Sequence, residues 1–397
     1  MPGHVRSRGK RADGTTKWQA RWRNPLDQSE RREKQFRRKG AAQRWVTDMD
    51  GAVYSGSYVD PRKADRPFSE VVDAWRATWI DLEPKTKAGY ESILNHHLLP
   101  AFGKRKVSAI TTEKVQAYVN RLSSGGLAPS TVRSVYSVLR SALNAGVRQR
   151  MLAVNPCTGV SLPRAAKEQM LFLTAQDVRT LAEAVPPYWR TLIYMAAYTG
   201  LRAGELGALR RKDIDPLRGT LHVRQALKDI NTTSEHVADH EKGLVFGDTK
   251  THSERIVSLP QFLRDFVAEH LSQSAPGGNG PDDLLFTTPT GKPIRHGLFY
   301  RRVFKPAVRE ALPERLRGLR FHDLRHTCAS LSIAQDAHPK LIQARLGHSS
   351  IQITLDRYGH LFPSVEAALA DSLDAAFRES ATDTTVVALD RPVAASS

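Results

Sequence analysis

The sequence predicts a multidomain, mainly α protein: a small N-terminal β-sheet plus helix, a four-helix bundle, and an α+β (mostly helical) C-terminal domain. Three observations carry this. A chain of 397 residues is longer than one hydrophobic core usually organises, so two or three domains are expected. From Lys17 to Arg23, KWQARWR alternates strictly, the pattern of a half-buried strand. From Pro67 to about Arg150 the apolar residues recur at helical spacing instead.

Residues 1–60 form the first expected domain, with fourteen Lys and Arg against seven Asp and Glu. The strand Lys17–Arg23 places Trp18, Ala20 and Trp22 on one face and Lys17, Gln19, Arg21 and Arg23 on the other. Glu33 to Lys39 reads as its partner strand, and Ala41 to Tyr54 as a helix with Ala42, Trp45, Val46 and Met49 inward. Tyr54 to Arg66 is polar, contains Gly and Pro, and reads as a linker. The second domain, residues 67–155, is expected to hold four helices, at Phe68–Ile80, Lys85–Leu99, Thr112–Leu122 and Pro129–Gln149. Cys157 to Met170 is a second linker. The third domain, residues 171–380, opens on Thr174 as an N-cap. Within it a helix closes at Gly200, Leu217–Lys228 and Leu244–Pro260 read as strands, and Ser364–Phe377 reads as a final helix. Residues 381–397 lose all periodicity and read as a disordered tail.

Composition narrows the function. The formal net charge is +18, from 59 Lys and Arg against 41 Asp and Glu. Such an excess points to a polyanionic partner, nucleic acid first. The chain has no apolar run long enough to span a membrane and no apolar core of a signal peptide near its start. Its two cysteines, Cys157 and Cys328, are far apart and in no metal-type spacing, as suits free thiols in a reducing cytoplasm.

Arg320 to Phe362 packs His322, Arg325, His326, His348, Tyr358 and His360 into otherwise ordinary helical sequence. His322 and Arg325 are three apart and share a helix face. Gly347 reads as the residue that ends a helix, leaving His348 on the exit turn. Imidazoles, a guanidinium and a phenol together suit a phosphate group better than a carbonyl. HDLRH also offers two histidines at i and i+4, as zinc metalloproteases do. Asp323 stands where such a site needs glutamate and no third ligand is evident, so no metal site is expected. Arg202 and Glu205 at a helix start, and Lys250 before a tight turn, supply further groups for an anion. The sequence has neither a GxxxxGK[ST] loop nor the acidic cluster of a two-metal nuclease, so no cofactor is expected.

TGLRAGEL, a hairpin lysine in GDTKTHSERIVSLP, HDLRHTCAS, LGHSS and TLDRYGH follow one another in the order of the tyrosine recombinase (phage integrase) family. The chain resembles that family from Thr174 to about Phe377. The helical segment before it is similar to the family's core-site-binding domain, and the basic strands, more loosely, to the arm-site-binding domain of phage-type integrases. The resemblance implies a site-specific DNA recombinase that integrates or excises phage or mobile-element DNA. In it Tyr358 is the nucleophile, Arg202 and Arg325 clamp the phosphate, and Lys250 is the general acid. His322 handles the tyrosine proton, His348 bonds the phosphate, Glu205 supports them, and His326 and His360 are lesser parts. The resemblance further implies double-stranded DNA as partner; Arg21 and Arg23 on the open strand face, and Lys85, Lys87 and Arg133 off the helical stripes, are the contacts expected from the residues themselves. It implies a homotetramer passing through a Holliday junction, and a host DNA-bending protein and directionality factor as accessories. Two rivals keep the fold: a catalytically silent DNA-binding regulator and a type IB topoisomerase-like enzyme. The intact residue set speaks against the first, the separate basic module against the second.

Overall fold

The computed structural model describes residues 3–12, 14–25, 29–56, 58–164, 170–238, 240, 242–249, 254–273, 276–362 and 371–378. The chain divides into two compact units, Met1–Glu168 with Asp229–Gly243, and Gln169–Lys228 with Leu244–Ser397.

The first unit begins with an antiparallel sheet in chain order, β1 (Gly3–Lys10), β2 (Thr16–Arg23) and β3 (Arg31–Phe36), backed by α1 (Lys39–Tyr54). The sequence reading misses β1, because HVRSRGK carries arginines where alternation needs apolar residues. It also runs the third strand too far, since the helix already begins at Lys39. Trp22 is buried toward α1, its indole N–H donating to Asp50 Oδ1 at 2.7 Å and its ring tilted against Tyr58. On the opposite face Gln19 Oε1 accepts from Arg6 and Arg8, and Arg21 pairs with Glu33 across the strands at 3.0 Å.

The bundle follows as α2 (Phe68–Arg76), α3 (Pro84–Ile93), α4 (Thr112–Ser124) and α5 (Pro129–Arg148). Helix α3 continues through a wide turn, Leu94–Leu98, into Leu99–Phe102, so it outruns its expected end. Phe68, Val72, Leu94, Leu98, Leu139 and Leu143 are fully buried at its centre.

The second unit opens with α6 (Ala175–Ala184), where Thr174 and Asp177 exchange side-chain to backbone hydrogen bonds as a capping box. Helix α7 (Pro187–Thr199) is apolar on nearly every face and therefore lies in the core. After α8 (Ala203–Ala208) come β4 (Ile214–Asp215), β5 (Thr220–Val223), β6 (Gln225–Ile230), β7 (Gly243–Asp248) and β8 (Arg255–Ser258). β4, β5 and β8 make one sheet and β6 pairs with β7. The single strand expected at Leu217–Lys228 is thus two, and Leu217 itself is 94% exposed in the turn before them. Helices α9 (Gln261–Ser272), α10 (Lys305–Ala311), α11 (Asp323–Ile333), α12 (Pro339–Leu346) and α13 (Ile351–Tyr358) complete the unit, α11 packing along α7. Of the expected last helix, residues 371–378 are helical with Leu373 and Phe377 exposed. The expected tail, 381–397, lies outside the described residues. Among these residues no helix is long and apolar enough to cross a membrane.

Candidate active site

Tyr358 ends α13, one turn beyond Thr354. It belongs to a small buried cluster with Cys328, Ala329, Ile333, Ile342 and Leu346, and the residue is fully buried. A buried phenol needs a partner for its hydroxyl. It finds His326 Nδ1 at 2.7 Å. With the phenol as donor, that nitrogen accepts and the ring carries its proton on Nε2. Thr354 orients a second imidazole, its Oγ1 lying 2.9 Å from His348 Nδ1. The His348 ring is nearly parallel to that of Tyr358, with centroids 6.4 Å apart. Gly347, at a left-handed φ of 66°, turns the chain out of α12 into His348 as expected. His322 stands exposed at the entry of α11, edge-on to His326 at 5.1 Å. The imidazole that meets the phenol is therefore His326, because it lies one turn deeper along α11. Asp323 anchors the helix start, accepting from the Arg320 backbone N–H at 2.7 Å and its guanidinium at 3.0 Å.

Arg325 is 2% exposed, and its Nη1 donates to the Gly200 carbonyl at 2.6 Å while its Nη2 has no partner among the described residues. Arg202 bonds Glu205 Oε1 through Nη1 at 2.8 Å and the Gly347 carbonyl through Nη2 at 3.4 Å. Glu205 is buried, so the pair is not the solvated surface bridge its spacing alone would suggest. Its second partner is Arg255 on β8, which grips both carboxylate oxygens, at 2.7 and 3.2 Å. Sequence reasoning missed Arg255. The available signal was its phase, two residues from the buried Val257 on the same strand face.

Electrostatics follow from burial. Desolvation opposes the charge on Glu205, but Arg255 and then Arg202 outweigh it and hold the carboxyl below its ordinary range. Burial, then the charge of Arg202, pushes the Arg325 guanidinium down to about 9, still a cation at neutral pH. Burial, then Arg325, presses His348 down to about 3, and burial takes His326 to about 4. Both rings are neutral at physiological pH. Burial pushes the Tyr358 phenol up to about 12, so it keeps its proton until a base takes it.

The structure thus gathers Arg202, Glu205, Arg325, His348 and Tyr358, with His322 at the margin. Lys250 lies outside the described residues, between the end of β7 and the start of β8. Among the described residues no three His, Cys, Asp or Glu side chains are grouped to hold a metal ion. In the other unit, Arg21, Arg23 and Lys85 are exposed and Lys87 is half-buried, while Arg133 Nε donates to the Pro163 carbonyl at 3.0 Å.

Residues 171–364 match the phage integrase family, and residues 68–123 match its N-terminal SAM-like domain. The chain belongs to the tyrosine recombinase, or phage integrase, family. This recombinase is 27% identical over 321 residues to an integrase of Mycobacterium phage D29, covering 79% of this chain and 82% of that one. It is 28% identical over 356 residues to a putative prophage phiRv2 integrase of Mycobacterium tuberculosis, covering 87% and 88%. The Tn1549 transposon integrase, solved with a circular intermediate DNA, shares its fold with a TM-score of 0.65 at 19% identity, over 77% of this chain and 99% of that one. The lambda integrase tetramer bound to a Holliday junction gives 0.53 at 19% identity, over 90% and 95%. The recombinase is an enzyme of the tyrosine-type, site-specific class.

Proposed function

We propose that this recombinase cuts and rejoins duplex DNA at attachment sites through a 3′-phosphotyrosyl intermediate, integrating or excising a phage or other mobile element. The observation that supports it best is Arg325: a buried guanidinium with one nitrogen unpartnered among the described residues, and with the charge of a second arginine, Arg202, acting on it. A cation so desolvated calls for an anion from outside, and a phosphodiester supplies the missing acceptors.

In this reading Arg202 and Arg325 hold the non-bridging oxygens and offset the charge that grows on the pentavalent phosphorus. The Tyr358 oxygen bonds to phosphorus as its proton passes to imidazole, His326 in contact or His322 at the margin. The bond to the 5′-oxygen breaks, and Lys250 gives that oxygen its proton. His348, its Nδ1 occupied by Thr354, offers Nε2 to a phosphate oxygen. The linkage energy stays in the phosphotyrosine, so a second strand's 5′-hydroxyl can religate it without a nucleotide cofactor.

Residues 67–155 would grip the core site, with Lys85, Lys87 and Arg133 toward phosphates, and the arginine face of residues 1–60 an arm site through Arg21 and Arg23. Four copies on two duplexes, passing through a Holliday junction, fit the lambda integrase tetramer bound to a Holliday junction. A host DNA-bending protein and a directionality factor belong to the same proposal, as does a bacterial cytoplasmic setting.

The test is a nicked suicide duplex built from the DNA flanking the gene. The unmutated enzyme is expected to be trapped as a covalent adduct, and Tyr358→Phe to form none. An adduct that survives Tyr358→Phe would place the nucleophile elsewhere.

A further inference from the structure

We infer that Arg255 is a positioning residue for the phosphate clamp: it sets Arg202 through the shared carboxylate of Glu205 and ties β8 to the turn that carries His348. The inference rests on the recombinase reading above. The Arg255 side chain is 8% exposed and all three of its nitrogens bond within the protein. Nε donates to the Arg345 carbonyl at 3.0 Å, and Nη1 and Nη2 go to the two oxygens of Glu205. Each of its nitrogens is thus engaged inside the protein, whereas Arg325 Nη2 has no partner among the described residues.

Its partners are the elements that the clamp depends on. Arg345 lies in the last turn of α12, two residues before Gly347 and three before His348. A Cβ on Gly347 would stand 3.0 Å from Arg255 Nη1, so glycine there permits the close approach as well as the left-handed turn. Glu205 also takes the Arg202 backbone N–H at 2.9 Å and Arg202 Nη1 at 2.8 Å, leaving Nη2 only a long bond to the Gly347 carbonyl. Arg202 thus keeps one weakly committed nitrogen because Arg255 already satisfies half of the buried carboxylate.

Without Arg255, the Glu205 charge would have Arg202 as its sole guanidinium partner and would draw it inward, away from a phosphate. Lysine would restore the charge but not the planar fork that spans both oxygens and the Arg345 carbonyl.

The test compares full-length Arg255→Met and Arg255→Lys with the unmutated enzyme. Single-turnover adduct formation is measured on the nicked duplex with either an ordinary phosphate or an uncharged methylphosphonate at the scissile position. On the ordinary phosphate Arg255→Met is expected to slow the reaction by about 100-fold, the scale of a misplaced catalytic group. The loss should be far smaller on the methylphosphonate, with DNA affinity by gel shift unchanged and Arg255→Lys recovering only part. Equal losses on both substrates, or no loss, overturn the inference. If Arg255→Met does not fold, wild-type rates in Arg255→Lys overturn it.

A DNA-free arm separates this inference from the reading beneath it. Orthovanadate added to arginine-labelled protein should move the Arg202 Nε–H resonance in the wild type and not in the Arg255 variants. Movement in both, or in neither, sinks the positioning role. A wild-type protein that responds to vanadate yet forms no adduct counts against the recombination substrate instead.

Discussion

His326 and Tyr358 hold each other in a place where neither could stay alone. The hydrogen bond between them adds on the order of 1 kcal/mol, but an orphaned buried hydroxyl would cost about 1–3 kcal/mol. The imidazole pays for its burial in proton affinity. Its native pKa is about 4 against an ordinary 6.5, and that of His348 is about 3. Between those values the unfolded chain binds protons that the native protein refuses. Stability from both groups is therefore complete above the ordinary histidine value and is lost as pH falls toward 4 and then 3. The slope is about 1.4 kcal/mol per pH unit for each group. Urea unfolding in neutral and mildly acidic buffer checks this, and His326→Asn is expected to flatten the decline. The same slope in both proteins would mean that His326 is not desolvated in the native state.

At the scale of elements, two helix ends position the arginines of the candidate site. Helix α7 closes at Gly200 with φ 68°, and α12 closes at Gly347 with φ 66°. The Gly200 carbonyl receives Arg325, and a Cβ there would lie 2.4 Å from Leu346 Cδ2 and 3.2 Å from Cys328 Sγ. Gly200→Ala is therefore expected to cost about 1–2 kcal/mol in left-handed strain alone, with further loss as α11 and α12 are pushed apart. A thermal melt reads the stability loss. Adduct formation measured well below the melting point should fall as well, because Arg325 loses its fixed acceptor. An alanine protein that melts and cleaves like the wild type would show that the cap does not aim the arginine.

At the scale of the whole molecule, the excess of cations is what DNA binding has to draw on. Each phosphate contact steepens the fall of log affinity with log salt by about 0.9. Replacing Arg21 and Arg23 together by alanine is expected to reduce that slope by about 1.8 on an arm-type duplex and to leave a core-type duplex unaffected. Binding titrations over a range of salt decide it, and an unchanged slope removes the two arginines from the interface. The same charge, with the two periodicities, was legible in the sequence, because both are properties of neighbouring residues. So were the mainly α organisation, the Thr174 cap, the glycine before His348 and, as candidates that the fold then brings together, Arg202, Arg325, His348 and Tyr358. β1 was not, since its arginine-rich strand becomes one only by pairing with β2. Arg255 and His326 were visible as residues but not as partners of Glu205 and Tyr358, which lie fifty and thirty-two positions away. The sequence by itself determined the inventory of chemical groups and the order in which they occur. Only the tertiary structure decided which arginine reaches the carboxylate and which imidazole reaches the phenol. A hydrogen bond extends about 3 Å, and over that range pairing depends on how helices and strands pack rather than on spacing along the chain.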